Sequence, residues 1–301
     1  MVRRMVLPLL VALSLCAAWA ETRDEALARA AALRQQGRYA EAIALLDQIL
    51  AADSGCWQAY YERAFDQARL GRLQEAIADY SRVLRLQHRH KNALMGRAQA
   101  YGRLGQWQRC LDDLDAYQLL DDRDPEAWLW RGLAYRHQEH YARAVECYNR
   151  ALELKPDYAE AYFRRGCIYT LTEQHRLALA DYNRALELEP GLAAAWFNRA
   201  VEWMAAERYQ AADQDLTRAL EEGYSEPVAY LLRGQCRLKL RRYEEARADF
   251  DQVLARQPGC AEAFLGRGLA LLGLGRKEQA RGDFAQAVRL EPELEPQVPR
   301  F

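Results

Sequence analysis

Residues 159–192 read AEAYFRRGCIYTLTEQHRLALADYNRALELEPGL, and the spacing inside this stretch recurs along almost the whole chain. Its Ala178 is one of eight residues on a single ruler: Ala42, Ala76, Cys110, Ala144, Ala178, Ala212, Ala246 and Ala280, each 34 residues after the one before. A fixed period of this length marks a repeat protein, in which each unit buries its apolar face only against its neighbours.

Laid from Arg23, the ruler gives eight units without insertion or deletion: 23–56, 57–90, 91–124, 125–158, 159–192, 193–226, 227–260 and 261–294. The eighth place of each is Ala or Gly (Ala30, Ala64, Ala98, Gly132, Gly166, Ala200, Gly234, Gly268), which lets one helix of a pair approach the other closely. The alanine on the ruler is its counterpart on the second helix. Large residues surround that crossing: Tyr60, Trp128, Tyr162, Trp196, Tyr230 and Phe264 on the first helix, Tyr80, Tyr148, Tyr182, Phe250 and Phe284 on the second. Small against small with large residues in the gaps is how close-packed helix pairs interlock.

With Tyr162, Gly166, Tyr169, Ala178, Tyr182, Ala185 and Pro190 in its characteristic places, unit five resembles the tetratricopeptide repeat family, and the resemblance extends over residues 23–294. It implies an all-α, right-handed superhelical solenoid of helix-turn-helix units that acts as a protein-interaction scaffold and not as an enzyme. Units one and three depart furthest from the pattern, with Ala26 in the aromatic place of the first and Cys110, Leu114 and Tyr117 in the third. Those two are expected to be the softest.

Residues 1–20 lie outside the array. Arg3 and Arg4 precede an apolar run from Met5 to Trp19 that closes on Ala18-Trp19-Ala20, the pattern of a signal peptide cleaved after Ala20. The expected location is therefore periplasmic or secreted, because the run is short for a membrane span. The alternative is a membrane-anchored form, held by this segment or lipidated at Cys16, although Leu15 stands where a lipoprotein signal wants a small residue.

The chain carries 42 basic and 43 acidic residues, and removal of Arg3 and Arg4 leaves it three negative. No basic stripe of the kind that grips phosphate is present, so a nucleic-acid partner is not expected. Charges of both signs alternate along the helices as on solvated faces. Cys56, Cys110, Cys147, Cys167, Cys236 and Cys260 form no C-x-x-C pair and no zinc-like spacing, and Cys110, Cys147 and Cys236 read as buried thiols. Cys147 and Cys167 are expected on neighbouring helices and are the one intramolecular pair worth testing. His88, His90, His137, His140 and His175 accompany no nucleophile or phosphate loop, so neither an active site, a cofactor nor a metal is expected. His137 and His140, three apart, have no converging carboxylate or thiol.

Arginine fills the seventh place of all eight units: Arg29, Arg63, Arg97, Arg131, Arg165, Arg199, Arg233 and Arg267. In six of them aspartate follows sixteen residues later, at Asp79, Asp113, Asp181, Asp215, Asp249 and Asp283, which predicts a ladder of structural ion pairs. Arg131 and Arg29 face Cys147 and Leu45 instead, and are the candidates for free donors.

The family resemblance further implies that the second, fifth, ninth and twelfth places line a concave groove. At the fifth and ninth places stand Tyr61, Phe65, Met95, Leu129, Leu133, Phe163, Phe197, Val201, Leu231 and Leu265, with Gln99 and Gln235 interspersed. A spacing of four puts each pair on one helical face, so the expected groove is apolar. It would take a protein or peptide segment with apolar side chains. The Lys and Asn set with which some family members grip acidic chaperone tails is missing, since only Asn198 stands in place. After Leu294 the Pro-rich tail 295–301 makes no capping helix, so Phe284 and Val288 are expected to be uncovered and to offer a homodimer contact through unit eight.

Overall fold

In the computed structural model of the chain, residues 23–299 are described; the apolar run Met5 to Trp19, with the expected cleavage at Ala20 and with Cys16, falls outside them. The chain divides into two compact units, Met1–Leu154 and Lys155–Phe301. The first holds α1 (23–35), α2 (Tyr39–Ala52), α3 (Trp57–Arg69), α4 (Leu73–Leu86), α5 (Lys91–Arg103), α6 (Trp107–Gln118), α7 (Pro125–His137) and α8 (Tyr141–Leu154). The second holds α9 (Ala159–Leu171), α10 (His175–Leu188), α11 (Ala193–Ala205), α12 (Tyr209–Glu221), α13 (Pro227–Lys239), α14 (Tyr243–Arg256), α15 (Ala261–Gly273) and α16 (Lys277–Leu290), followed by a 3₁₀ turn, Pro292–Gln297. The fold is an all-α solenoid of paired helices. Within each unit every helix packs on the next, and first helices of successive pairs also touch, as α3 does α5 and α13 does α15. That second contact makes the first helices an inner wall.

The repeat period has a visible cause at the crossing inside each pair. All eight ruler residues are fully buried. The eighth-place glycines lie directly beneath the ring of the second helix: a Cβ on Gly132 would come within 2.4 Å of Tyr148, and one on Gly268 within 2.6 Å of Phe284. Tyr148, Tyr182 and Phe250 are themselves among the largest fully buried side chains. Ring size on one helix thus fixes how small its partner must be.

The turn inside each pair is equally regular. Its fifteenth place has a left-handed backbone in all eight repeats, with glycine at Gly37, Gly71, Gly105 and Gly275 but Glu139, Glu173, Glu207 and Arg241 in the others. Around Glu173 (φ 57), Gln174 N–H donates to the Tyr169 carbonyl at 2.7 Å and Glu173 N–H to that of Thr170 at 3.1 Å. This is the Schellman arrangement that ends a helix by way of one left-handed residue. A side chain there is disfavoured, so four of the turns are held by the helices on either side.

At the C-terminus the structure corrects the expectation of an open end. The 3₁₀ turn folds back on α16, Leu294 is buried and Val298 packs on the same cluster, which also contains Phe284 at 4% exposure. Apolar residues at 294 and 298 do what a capping helix does, with six residues in place of a dozen, so Phe284 is not available for a dimer contact. No helix of the described residues is long and apolar enough to cross a membrane.

Replacing Glu173 by glycine should raise the midpoint of denaturant unfolding, by a stabilisation of about 0.5–1 kcal/mol, because relief of left-handed strain exceeds the entropy glycine adds to the unfolded chain. An unchanged or lowered midpoint would show the turn to be unstrained.

Candidate functional site

The seventh-place arginines other than Arg29 each serve several groups at once. Towards its own second helix, Arg97 donates from Nε and Nη2 to the two carboxylate oxygens of Asp113, at 2.8 and 2.6 Å. The same fork joins Arg63 to Asp79, Arg165 to Asp181, Arg199 to Asp215, Arg233 to Asp249 and Arg267 to Asp283, with shortest distances of 2.7 Å. In the opposite direction Nη1 reaches sixteen residues back into the preceding repeat. Arg63 meets Asp47 at 2.5 Å, Arg97 Ser81 at 2.9 Å, Arg199 Asn183 at 2.7 Å, Arg233 Thr217 at 3.2 Å and Arg267 Asp251 at 2.8 Å. The guanidinium also lies over the fourth-place ring, 4.7 Å from the centre of Trp196 for Arg199 and 5.4 Å from that of Phe264 for Arg267. Arg63, Arg97, Arg199, Arg233 and Arg267 are therefore each a node between two helices of one repeat and the second helix of the repeat before.

The aspartates are almost wholly buried. At Asp181 and Asp249 burial pushes the carboxyl up despite the facing arginine, whereas the hydrogen bond that Arg63 donates to Asp79 leads the forces that raise Arg63. Desolvation so offsets much of the attraction, and the ladder fixes geometry more than it adds stability. Other buried carboxylates hold repeats together on the first helices: Asp66 accepts from Arg34 at 2.5 Å, and Glu202 from Thr170 at 2.5 Å with the His175 ring at 2.7 Å. Asp213 takes Arg237 at 2.8 Å together with Arg242.

Arg131 is not the free donor that its missing aspartate suggested. Its Nη2 binds Asp115 of the preceding repeat, and its guanidinium covers Trp128 at 5.8 Å. Arg29 is exposed and has no partner among the described residues. The six cysteines are free thiols, and burial pushes Cys110, Cys147 and Cys236 up to about 12. His90 caps α5, accepting from Ala93 N–H at 3.1 Å, and His137 stacks on Trp107 at 4.1 Å. No group of three or more histidines, cysteines and carboxylates able to hold a metal occurs among the described residues.

The fifth- and ninth-place residues separate into packed and open. Leu129 and Phe163 are buried, Phe163 beside Tyr182 with ring centres 6.2 Å apart. A glutamate at 163 would therefore unfold its pair and not merely spoil a surface. Tyr61 packs on His90 at 5.0 Å, Phe197 stacks on Tyr224 at 4.5 Å, Met95 and Leu231 close clusters behind them, and Leu133 and Val201 are half-buried. Phe65 is exposed under Arg34, 5.3 Å from its ring centre.

In the second compact unit these places do open into a cavity of about 930 Å³. Leu265, Leu269 and Leu272 of α15 form its floor, with Leu238 of α13 and Met204 of α11 beside them. Tyr209 and Tyr243, which begin α12 and α14, form a wall. Gly273 makes room for Tyr243, whose ring would lie 2.6 Å from a Cβ there. Gln235, Lys239, Glu262 and Gln297 supply the polar atoms. The first-residue tyrosines escaped the sequence reading, although a tyrosine also opens α2 and α8.

A double-mutant cycle of Arg97→Lys and Asp113→Asn should give a coupling of about 1 kcal/mol or more in unfolding free energy, because each substitution leaves its partner buried and half-satisfied. Strict additivity would mean that the fork is incidental.

Comparison with known proteins matches tetratricopeptide repeat models to residues 27–88, 159–192, 199–250 and 231–295, and a TPR repeat model to residues 132–172. No curated protein matches the chain. A tetratricopeptide repeat protein from Parabacteroides merdae is similar in structure, with a TM-score of 0.62 and 19% identity over 83% of this chain and 99% of that one. So is pilF of Pseudomonas aeruginosa, at 0.63 and 15% over 70% and 96%. YrrB, described as a TPR protein with an unusual peptide-binding site, gives 0.57 and 22% over 60% and 93%. With models covering more than half of its length and paired helices of the same period, the chain belongs to the tetratricopeptide repeat family.

Proposed function

We propose that this chain is a non-enzymatic interaction scaffold that holds an apolar segment of a partner protein in the inner cavity of its last three repeats. The observation that carries this reading is the cavity itself: leucines and a methionine from three successive first helices, walled by two tyrosines, on a face where neighbouring helices leave room. Its apolar floor suits side chains of leucine or phenylalanine size. Gln235, Gln297 and the tyrosine hydroxyls can hydrogen-bond the main chain of an extended segment or the end of a short helix. Lys239 and Glu262 contribute one charge of each sign, which argues against both an acidic tail and a phosphate backbone as occupant.

The scaffold is read as exported, with the mature chain beginning at Glu21; the apolar run Met5 to Trp19 before Ala18-Trp19-Ala20 supports this. An intact mass of the protein from its producing cells that starts at Met1 would overturn it in favour of an anchor.

Affinity capture with the chain, beside Leu269→Glu and Gln235→Arg variants, tests the cavity. Both positions are half-buried at its surface, so thermal unfolding should change little while a bound partner is lost from both variants. Equal capture by all three, with folding intact, would exclude this cavity as the binding surface.

A further inference from the structure

The fourth repeat breaks the arginine ladder, and a second cavity opens at the break. In six other repeats the Nε and Nη2 edge of the seventh-place arginine is filled by an aspartate from the same pair. In the fourth that place is Cys147, a buried thiol that burial pushes up to about 12 and so keeps neutral. Arg131 gives Nη2 to Asp115, while its Nε and Nη1 meet no acceptor among the described residues. A cavity of about 560 Å³ lies against it, bounded by Trp128, Tyr135, Arg143 and Cys147.

The charges around this cavity select the ligand. Arg150 also borders it but is held by Glu153 at 2.8 Å, and Arg143 lies over Tyr135 at 5.6 Å, leaving the guanidinium edges of Arg131 and Arg143 for an anion. Glu146 and Glu153 are part of the same lining, so a doubly charged phosphate meets more repulsion there than a single carboxylate. Planar carboxylate against guanidinium is also the pairing that this chain makes at every intact rung.

We propose that the cavity between α7 and α8 is a docking site for a carboxylate supplied by a partner protein, an aspartate or glutamate side chain that fills the rung left open at Cys147. Leu129 and Leu133 lie two residues either side of Arg131, about 200° around the helix. The carboxylate site therefore faces away from the inner wall, and its occupation does not compete with a ligand held there.

The test uses the full chain with ¹⁵N-labelled arginine, titrated with sodium acetate as the side-chain analogue against sodium chloride at equal ionic strength. The Nε–Hε resonance of Arg131, identified by its loss in Arg131→Lys, should shift saturably in the millimolar range expected of one exposed pair. The resonances of Arg97 and Arg199, whose forks are filled, should stay. Cys147→Asp should weaken the acetate response by roughly tenfold or more and move Arg131 among the paired resonances. Cys147→Ser, which leaves the rung open and perturbs packing less, should keep the response. No saturable shift, a response undiminished in a folded Cys147→Asp protein, or tighter binding of inorganic phosphate than of acetate would overturn the proposal, the last in favour of a phosphoryl ligand.

Discussion

The guanidinium at the seventh place is the constraint on which the rest of the array depends. In repeats two, six, seven and eight it addresses at once the repeat's own second helix, its own fourth-place ring and the repeat before it. Apolar packing at the alanine crossing is non-directional and would tolerate some rotation of one helix on another. A bidentate fork with a third hydrogen bond pointing the other way would not. Because the aspartates are buried and desolvation opposes their ionisation, the ladder is better understood as a jig than as glue.

Packing and polar contacts divide the labour by face. Rings, or leucine at Leu46, Leu114 and Leu216, at the twenty-fourth place and small residues at the eighth and twentieth close the interior of each pair. On the side of the first helices, carboxylates at Asp66 and Glu202 tie neighbouring repeats at single points, where the other repeats carry alanine, isoleucine or cysteine. The inner wall is consequently uneven. It is filled where aromatic residues lean on the turn that closes their own repeat, as Phe197 does on Tyr224, and hollow where leucine and glycine follow one another in α15.

How much of this was legible depended on whether one chemistry recurs at one spacing. The alanine ruler and the arginine and aspartate sixteen apart repeat the same letters, and their period gave away the paired helices. The contact sixteen residues back was invisible because any acceptor satisfies it: Asp47, Ser81, Asn183, Thr217 and Asp251 share a role but no residue type. The groove positions were readable as a face but not as open or closed. Phe163 and Leu265 occupy the same place with similar burial, yet one packs against a tyrosine and the other floors a cavity, a difference made by the neighbours. The covered C-terminal end was missed since Leu294 closes the last repeat and Val298 lies beyond it, where no further period shows what they cover.

The two arms of the arginine have a consequence for how such a chain can change length. Each arm spans sixteen residues across a helix, a turn and a helix, one forward and one back, so the distance between successive arginines is set from both sides. One residue added inside any helix would turn everything beyond it by about 100° and carry a fork away from its carboxylate. The uniform 34-residue period from Arg29 to Arg267 is thus a mechanical tolerance, under which the chain can grow or shrink by whole repeats and by almost nothing less.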